Sequence, residues 1–293
     1  MELDQIHHLF LESSGASTDT RNIKQDSLFF ALKGANFNGN NFAHKALESG
    51  ACYAVIDEIV QPTNERFILV DNVLQTLQEL ASFHRKQLGL PIIALTGSNG
   101  KTTTKELIHA VLKPHFKTVA TVGNLNNHIG VPLTLLSMTA NTEIGIVEMG
   151  ANHPKEIAFL CEIAQPNMGY ITNFGKAHLE GFGSEEGVVK AKSELYDFLK
   201  THSRLIILNS DDAKQVARSL QEAQLTLELL SGDRTTTVEA VANELGITNW
   251  KANLSPIDNA KIIQALEAQG SKVLMVGDGL NDAPALASAT VSI

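Results

Sequence analysis

Residues 95–106 read LTGSNGKTTTKE, a glycine-bearing turn with a lysine and three hydroxyls directly behind it. Gly97 and Gly100 let the backbone curl so that several N–H groups face one phosphate. Lys101 adds a point charge for the β- and γ-phosphates of a nucleotide, and Thr102 a hydroxyl ligand for Mg2+. Ser98, Asn99 and Thr103 fill the other positions of the loop. A nucleotide's phosphates held with Mg2+ is the ligand pair this chemistry implies. The usual spacing has one more glycine where this chain has Leu95, so the loop is a variant. Asn124, Asn126 and Asn127 form a second polar group. It reads either as donors and acceptors for a sugar-peptide or phosphate, or as a turn cluster, since Asn also favours loops. Glu148 closes the run GIVE, at the strand end where open parallel sheets place ligands.

A phosphate loop needs a strand before it and a helix after it, and PIIALTG precedes this one. Further apolar runs, FKTVATV, IGIVEMG, MGYITNF and SRLIILN, alternate with helical stretches. That alternation predicts an α/β fold with a parallel sheet covered on both faces. Ahead of it, residues 1–85 mix short strands (SLFFALKG, CYAVID, RFILVD) with helices, as a small α/β domain would. From Asp211 a third run follows: helix, strand LTLELLSG, helix TTTVEAVANELG, short strand KANLS, helix NAKIIQALEAQG, strand KVLMVGDG and a last strand TVSI. Three domains are expected, 1–85, 86–210 and 211–293.

TGSNGKTTTKE resembles the loop of the Mur ligases, which add amino acids to the cell-wall precursor. STDTRNIKQDSLFFALKGANFNGNNFAHKALESGA (17–51) is similar to the uridine-nucleotide-binding domain of the branch that adds D-Ala-D-Ala. TVGNLNNHIGVPLTLL (121–136), VEMGANHPKEI (147–157) and TNFGKAHLEGFGSEEGVVKAKSEL (172–195) resemble that branch's central domain, in order. The resemblance implies an ATP- and Mg2+-dependent ligase acting on a UDP-MurNAc-peptide and D-Ala-D-Ala. In such a ligase ATP first phosphorylates the carboxylate, and Lys101 and metal ions bring the two anions together. It further implies that Glu148 is a Mg2+ carboxylate and His178 a ligand of a second magnesium. Lys192 matches a lysine carbamylated by CO2, which turns a cation into an anion that supports that metal. On this resemblance Lys101, Lys192 and His178 would be the catalytic set. Ser17, Asp19, Thr20, Arg21 and Asn40 would contact the uridine diphosphate end of the substrate, with Arg21 on its negative charge. Asn209 resembles the adenine-side residue.

The family pattern fades after LNSDD (208–212). LLSGDRTTTVEAVANELGI and KVLMVGDGLNDAPALASATVSI resemble the phosphorylation domain of heavy-metal P-type ATPases, a haloacid-dehalogenase-like fold. Its carboxylates, Asp278 and Asp282, would bind Mg2+, and Ser231 a phosphate. Yet the chain has no D-K-T-G-T nucleophile stretch, and Asn259 stands where a phosphate-binding lysine is expected. An ion-pump reading fails. The expected architecture is a Rossmann-like half-domain that supplies structure rather than chemistry, in a chain that looks like a fusion of two parallel-sheet fragments. RLIILN, or another strand of the ligase part, is expected to fill the gap between its strands or join their sheet edge, giving one composite sheet. Because the ligases continue into an amine-binding domain, full turnover is expected to be impaired. The alternatives are a non-catalytic chimeric scaffold that keeps weak nucleotide binding and, less favoured, a phosphatase.

The chain has 293 residues and a net charge of −9, with no basic stripe, which argues against a nucleic-acid partner. Cys52 and Cys161 have no metal-type spacing and read as two reduced thiols. No secretory segment or bilayer-spanning apolar run is visible, so a cytoplasmic monomer that binds no membrane is expected.

Overall fold

Leu28–Phe30 is buried at every residue, the burial that a strand covered on both faces requires. The computed structural model describes residues 2–175, 179–207, 217, 220–221, 224–271, 273–275, 283–289 and 291–292. The chain falls into two units, Met1–Thr96 with Gly100–Asn167, and Gly97–Asn99 with Met168–Ile293. Its architecture is α/β, with parallel strands alternating with helices.

The first unit opens with α1 (Leu3–Glu12), then β1 (Ala16–Ser17), β2 (Leu28–Phe30), a short antiparallel pair β3 (Lys33–Gly34) and β4 (Phe37–Asn38), α2 (Ala43–Glu48), β5 (Tyr53–Ile56) and β6 (Phe67–Leu69). β1, β2, β5 and β6 form a parallel sheet in that order, with Ala16 opposite Leu28, Leu28 opposite Tyr53 and Ala54 opposite Phe67. Phe29, Ala43, Ala46, Leu47 and Ile56 make the core between this sheet and α2.

α3 (Val73–Leu88) follows. Asn72 caps its start by accepting the Gln75 N–H at 2.9 Å, and Gly89 ends it in the left-handed region at φ 63°. Val73, Leu77, Leu80, Ala81 and His84 are buried at helical spacing. Against them pack α1, α5 (Gly130–Leu136) and α6 (Glu156–Ala164). The sheet that carries the loop contains β7 (Ile92–Thr96), β8 (Thr118–Ala120) and β9 (Ile144–Glu148). β9 runs parallel between the other two. α4 (Lys101–Leu112) leaves the loop after β7.

His7 and His84 join α1 to α3. Both are buried, with His7 Nε2 3.0 Å from His84 Nδ1 and His84 Nε2 2.9 Å from the Met138 carbonyl. A carbonyl only accepts, so His84 Nε2 carries the proton and His84 Nδ1 accepts from His7 Nε2–H. Burial lowers both pKa values, and the neighbouring His84 lowers that of His7 further. The unfolded chain takes up protons first as pH falls below the ordinary value of 6.5. Stability from this pair is therefore complete above that pH and lost as the solution is acidified through the lowered values. The urea midpoint should fall between pH 7 and pH 5. In a His84→Gln variant that fall should shrink, and an unchanged slope would disprove the assignment.

In the second unit β10 (Met168–Ile171) pairs in parallel with β11 (Leu205–Ile207). α7 (Leu179–Phe182) and α8 (Glu185–Thr201) lie between them in sequence. Tyr196, buried on α8, accepts the Ile171 N–H at 3.1 Å and donates to the Ile207 carbonyl at 2.7 Å, tying both strand ends. Burial raises its pKa well above the usual tyrosine value. Tyr196→Phe leaves a buried donor and acceptor without this partner and should cost about 1–3 kcal/mol, read from denaturant unfolding.

Further along lie β12 (Glu228–Leu230), α9 (Thr235–Leu245), β13 (Asn249–Lys251), α10 (Pro256–Ala268), β14 (Leu274–Met275), α11 (Ala283–Leu286) and β15 (Val291–Ser292). The expectation of a composite sheet is corrected here. Among the described residues, β12 pairs with β13 and β14 with β15, each in a two-stranded sheet, while RLIIL pairs with β10. The strand expected at KANLS is also displaced, to Asn249–Lys251. Ser255 and Asp258 form a capping box with Pro256 behind the cap, so the chain must turn before it, and Asn253 does so at φ 56°.

Candidate functional site

The loop glycines have the conformations their role needs, with φ 143° at Gly97 and 74° at Gly100, the residue that caps α4. Within the second unit, residues 97–99 lie along residues 172–175. Ser98 donates its N–H to the Asn173 carbonyl at 3.1 Å and its hydroxyl to the Gly175 carbonyl at 2.7 Å. Asn99 donates its N–H to Asn173 Oδ1 at 3.1 Å, and its carbonyl accepts from the Thr172 hydroxyl at 2.6 Å and from Asn173 Nδ2 at 3.1 Å. This narrows the expected phosphate cradle, because the Ser98 and Asn99 amides are engaged by Asn173. The remaining donors are at the start of α4, where Thr102 and Thr103 are exposed and have no acceptor within the helix. The helix dipole favours an anion there.

In the first unit the Glu148 carboxylate acts on Lys101. Burial lowers the Lys101 pKa, and the Glu148 carboxylate pushes it back up. Glu148 is only 1% exposed. Its backbone N–H donates to the Thr121 hydroxyl at 3.0 Å, and Oε1 accepts from Asn126 Nδ2 at 2.8 Å. Oε2 is buried and meets no partner among the described residues. An unsatisfied buried carboxylate oxygen is costly unless a ligand completes it. Among the described residues no group of three or more His, Cys, Asp or Glu side chains could hold a metal. Mg2+ fits such a place, since it usually takes one or two carboxylates and fills its shell with hydroxyl, water and phosphate oxygens. Glu148 and Thr102 would hold it.

The three asparagines divide by role. Asn126 orients Glu148. Asn127 Oδ1 accepts the N–H groups of Ile129 and Gly130 at 3.1 and 2.9 Å, opening α5. Asn124 is exposed. In the second unit Lys192 is 1% exposed, with Nζ 5.3 Å from the centre of the Phe182 ring. In the amino-terminal sheet Ser17 ends β1, and Asp19 and Thr20 begin a 3-10 turn. Arg21 clasps Asp19 through Nε–Oδ1 at 2.9 Å and Nη2–Oδ2 at 2.7 Å, and hydrogen bonds from Arg21 hold the Asp19 carboxyl down at about 2. Asn40 is 1% exposed and turned inward. Its amide donates to Asn38 and Asp57, and its oxygen accepts the Asp57 N–H. His178, Asn209, Asp278 and Asp282 lie outside the described residues.

The family profile of the Mur ligase middle domain matches residues 95–276, well over half of the chain. The chain belongs to the Mur ligase family. The profile described as the Mur ligase family catalytic domain matches residues 12–85. UDP-N-acetylmuramoyl-tripeptide–D-alanyl-D-alanine ligase of Bacillus subtilis (strain 168) is 44% identical over 209 residues, 71% of this chain and 46% of that protein. The chain thus spans about half the length of the curated relatives it matches. The crystal structure of MurF ligase from Thermotoga maritima in complex with ADP superposes with a TM-score of 0.63 at 31% identity, covering 73% of this chain and 48% of that one. The catalytic CPx-ATPase domain CopB-B shares 47% identity over 26% of this chain and 30% of that one, at a TM-score of 0.25.

Against this family background, two residues of the site were not foreseen. Asn173 holds two loop amides from 74 residues away, which no local spacing signals. Lys105, one turn into α4, is 0% exposed and reads in sequence as one more helix-surface lysine.

Proposed function

We propose that the chain is the nucleotide- and precursor-binding part of a MurF-type ligase. The reaction joins D-Ala-D-Ala to a UDP-MurNAc-tripeptide through an acyl phosphate made from ATP, in the cytoplasm. The observation that carries this reading is Glu148, buried with one oxygen unpartnered among the described residues and acting electrostatically on Lys101 at the start of α4. Bound Mg2+ would supply charge neutralisation between two anions that otherwise repel. Lys101 would hold the β/γ-phosphates, and the first turn of α4 would orient them. Glu148 would keep the metal in place, with Asn126 fixing its other oxygen.

Lys192, sealed from solvent beside Phe182 and matching the family's modified lysine, would carry the carbamate. With His178 it would support a second metal. Ser17, Asp19, Thr20 and Arg21 would meet the uridine diphosphate and Asn209 the adenine. Segments 1–85, 86–210 and 211–293 would form the functional divisions, the last haloacid-dehalogenase-like in origin. Its strands pair only with one another among the described residues, which favours a separate module.

Calorimetry of ATP at millimolar Mg2+, followed by phosphate release with and without UDP-MurNAc-tripeptide, tests the proposal. Binding, and release stimulated by the precursor, are the expected results. Folded protein that gives no heat with ATP overturns it. Phosphatase activity that survives Lys101→Ala and vanishes in Asp278→Ala would instead favour the terminal segment as the active part.

A further inference from the structure

Lys105 is the only buried residue of α4. Its ammonium donates to the Thr121 carbonyl at 2.6 Å and pairs with the exposed Glu106 carboxylate at 2.9 Å. A methionine would fill similar space without stripping water from a charge, which is costly in an interior. What the ammonium adds is a charged donor on one particular carbonyl.

Thr121 is a junction. Its N–H donates to the Ile146 carbonyl at 2.9 Å, its carbonyl takes Lys105, and its hydroxyl accepts the Glu148 N–H at 3.0 Å. From Thr121 runs the loop that carries Asn126, whose carbonyl accepts the Gly150 N–H at 2.7 Å and whose amide holds Glu148 Oε1 at 2.8 Å. Glu148 is therefore clamped at its backbone by Thr121 and at one carboxylate oxygen by the same loop. Both clamps start from the carbonyl that Lys105 grips.

We propose that Lys105 is a positioning residue for the divalent-cation site at Glu148: by pinning Thr121 it fixes where the unpartnered Glu148 oxygen points. The inference rests on the reading of Glu148 as a metal carboxylate and adds to it a residue that touches neither metal nor nucleotide.

The test is Mn2+ binding in the presence of ATP, followed by the electron paramagnetic resonance of free Mn2+. It is run on the parent, Glu148→Gln, Lys105→Met and Lys105→Arg at a temperature where circular dichroism shows each to be folded. Lys105→Met should weaken Mn2+ by about 10–100-fold, as loss of a group that orients a metal ligand does, and Lys105→Arg should recover part of that. Affinity for ATP without metal should stay within about twofold, a split that a merely structural lysine would not produce. Should Lys105→Met fail to fold, Lys105→Arg and Thr121→Val, which removes the hydroxyl under the Glu148 N–H, decide the matter. Both should weaken Mn2+, and full affinity in both overturns the proposal. Parent-like Mn2+ affinity in Lys105→Met with loss in Glu148→Gln refutes the role of Lys105 alone. Parent-like affinity in Glu148→Gln refutes the metal reading itself.

Discussion

Lys101→Ala should lower ATP turnover by about 10²–10³-fold, the usual effect of removing one preorganised charge from a phosphoryl-transfer site. The side chain is half-buried at the start of α4, so little packing is lost and unfolding should hardly change. The pH profile gives the sharper check. Burial lowers the Lys101 pKa while Glu148 raises it, so the ammonium deprotonates earlier than an ordinary lysine as pH rises. Activity should fall on the alkaline side below the usual lysine range. Glu148→Gln removes the raising influence, so the alkaline limb should move to still lower pH in whatever turnover remains. A limb that stays put, or moves up, would show that the two groups do not share one site. Bound Mg2+ would lower the Lys101 pKa by its own charge, so the profile is best measured at fixed saturating metal.

The parts of this site legible in sequence are those whose geometry is local. A strand, two glycines, a lysine and a hydroxyl within eight residues fix a loop and a helix start, and the structure has Gly97 and Gly100 at positive φ and α4 beginning at Lys101. The place of Glu148 at the end of β9 was equally readable, because a carboxylate closing an apolar run marks the strand end, where open parallel sheets place ligands. Long-range pairing was not readable. Asn173, Lys105 and Tyr196 each bond backbone groups far away in sequence or on another element, and each residue type is common in ordinary loops and helix faces. Asn40 shows the converse: its type suits a polar ligand, but Asp57 and Asn38 already occupy its amide. The composite sheet, absent among the described residues, was misjudged for a related reason. Apolar strand patterns say that a strand is buried, not which strand lies beside it, and RLIIL found its partner in β10.

Gly97→Ala should be the most damaging single-atom-scale change in the loop. A methyl group at Gly97 would overlap the Thr172 hydroxyl and come within 3.1 and 3.2 Å of the Thr172 and Asn173 backbone nitrogens. The Thr172 hydroxyl and Asn173 Nδ2 both donate to the Asn99 carbonyl, so the segment cannot move aside without losing bonds that hold it. The backbone at φ 143° adds strain for any L-residue. Strain and overpacking together should cost about 2–5 kcal/mol. Gly100→Ala is the matched control. It too has positive φ, 74°, but nothing lies within 4 Å of the added carbon, so only the left-handed strain of about 1–2 kcal/mol applies. Gly97→Ala should therefore have the lower denaturant midpoint of the two and also weaken ATP binding, because the 97–99 segment of the loop is displaced. Equal midpoints would mean that Thr172 yields easily and that the 97–99 segment is not held by residues 172–175.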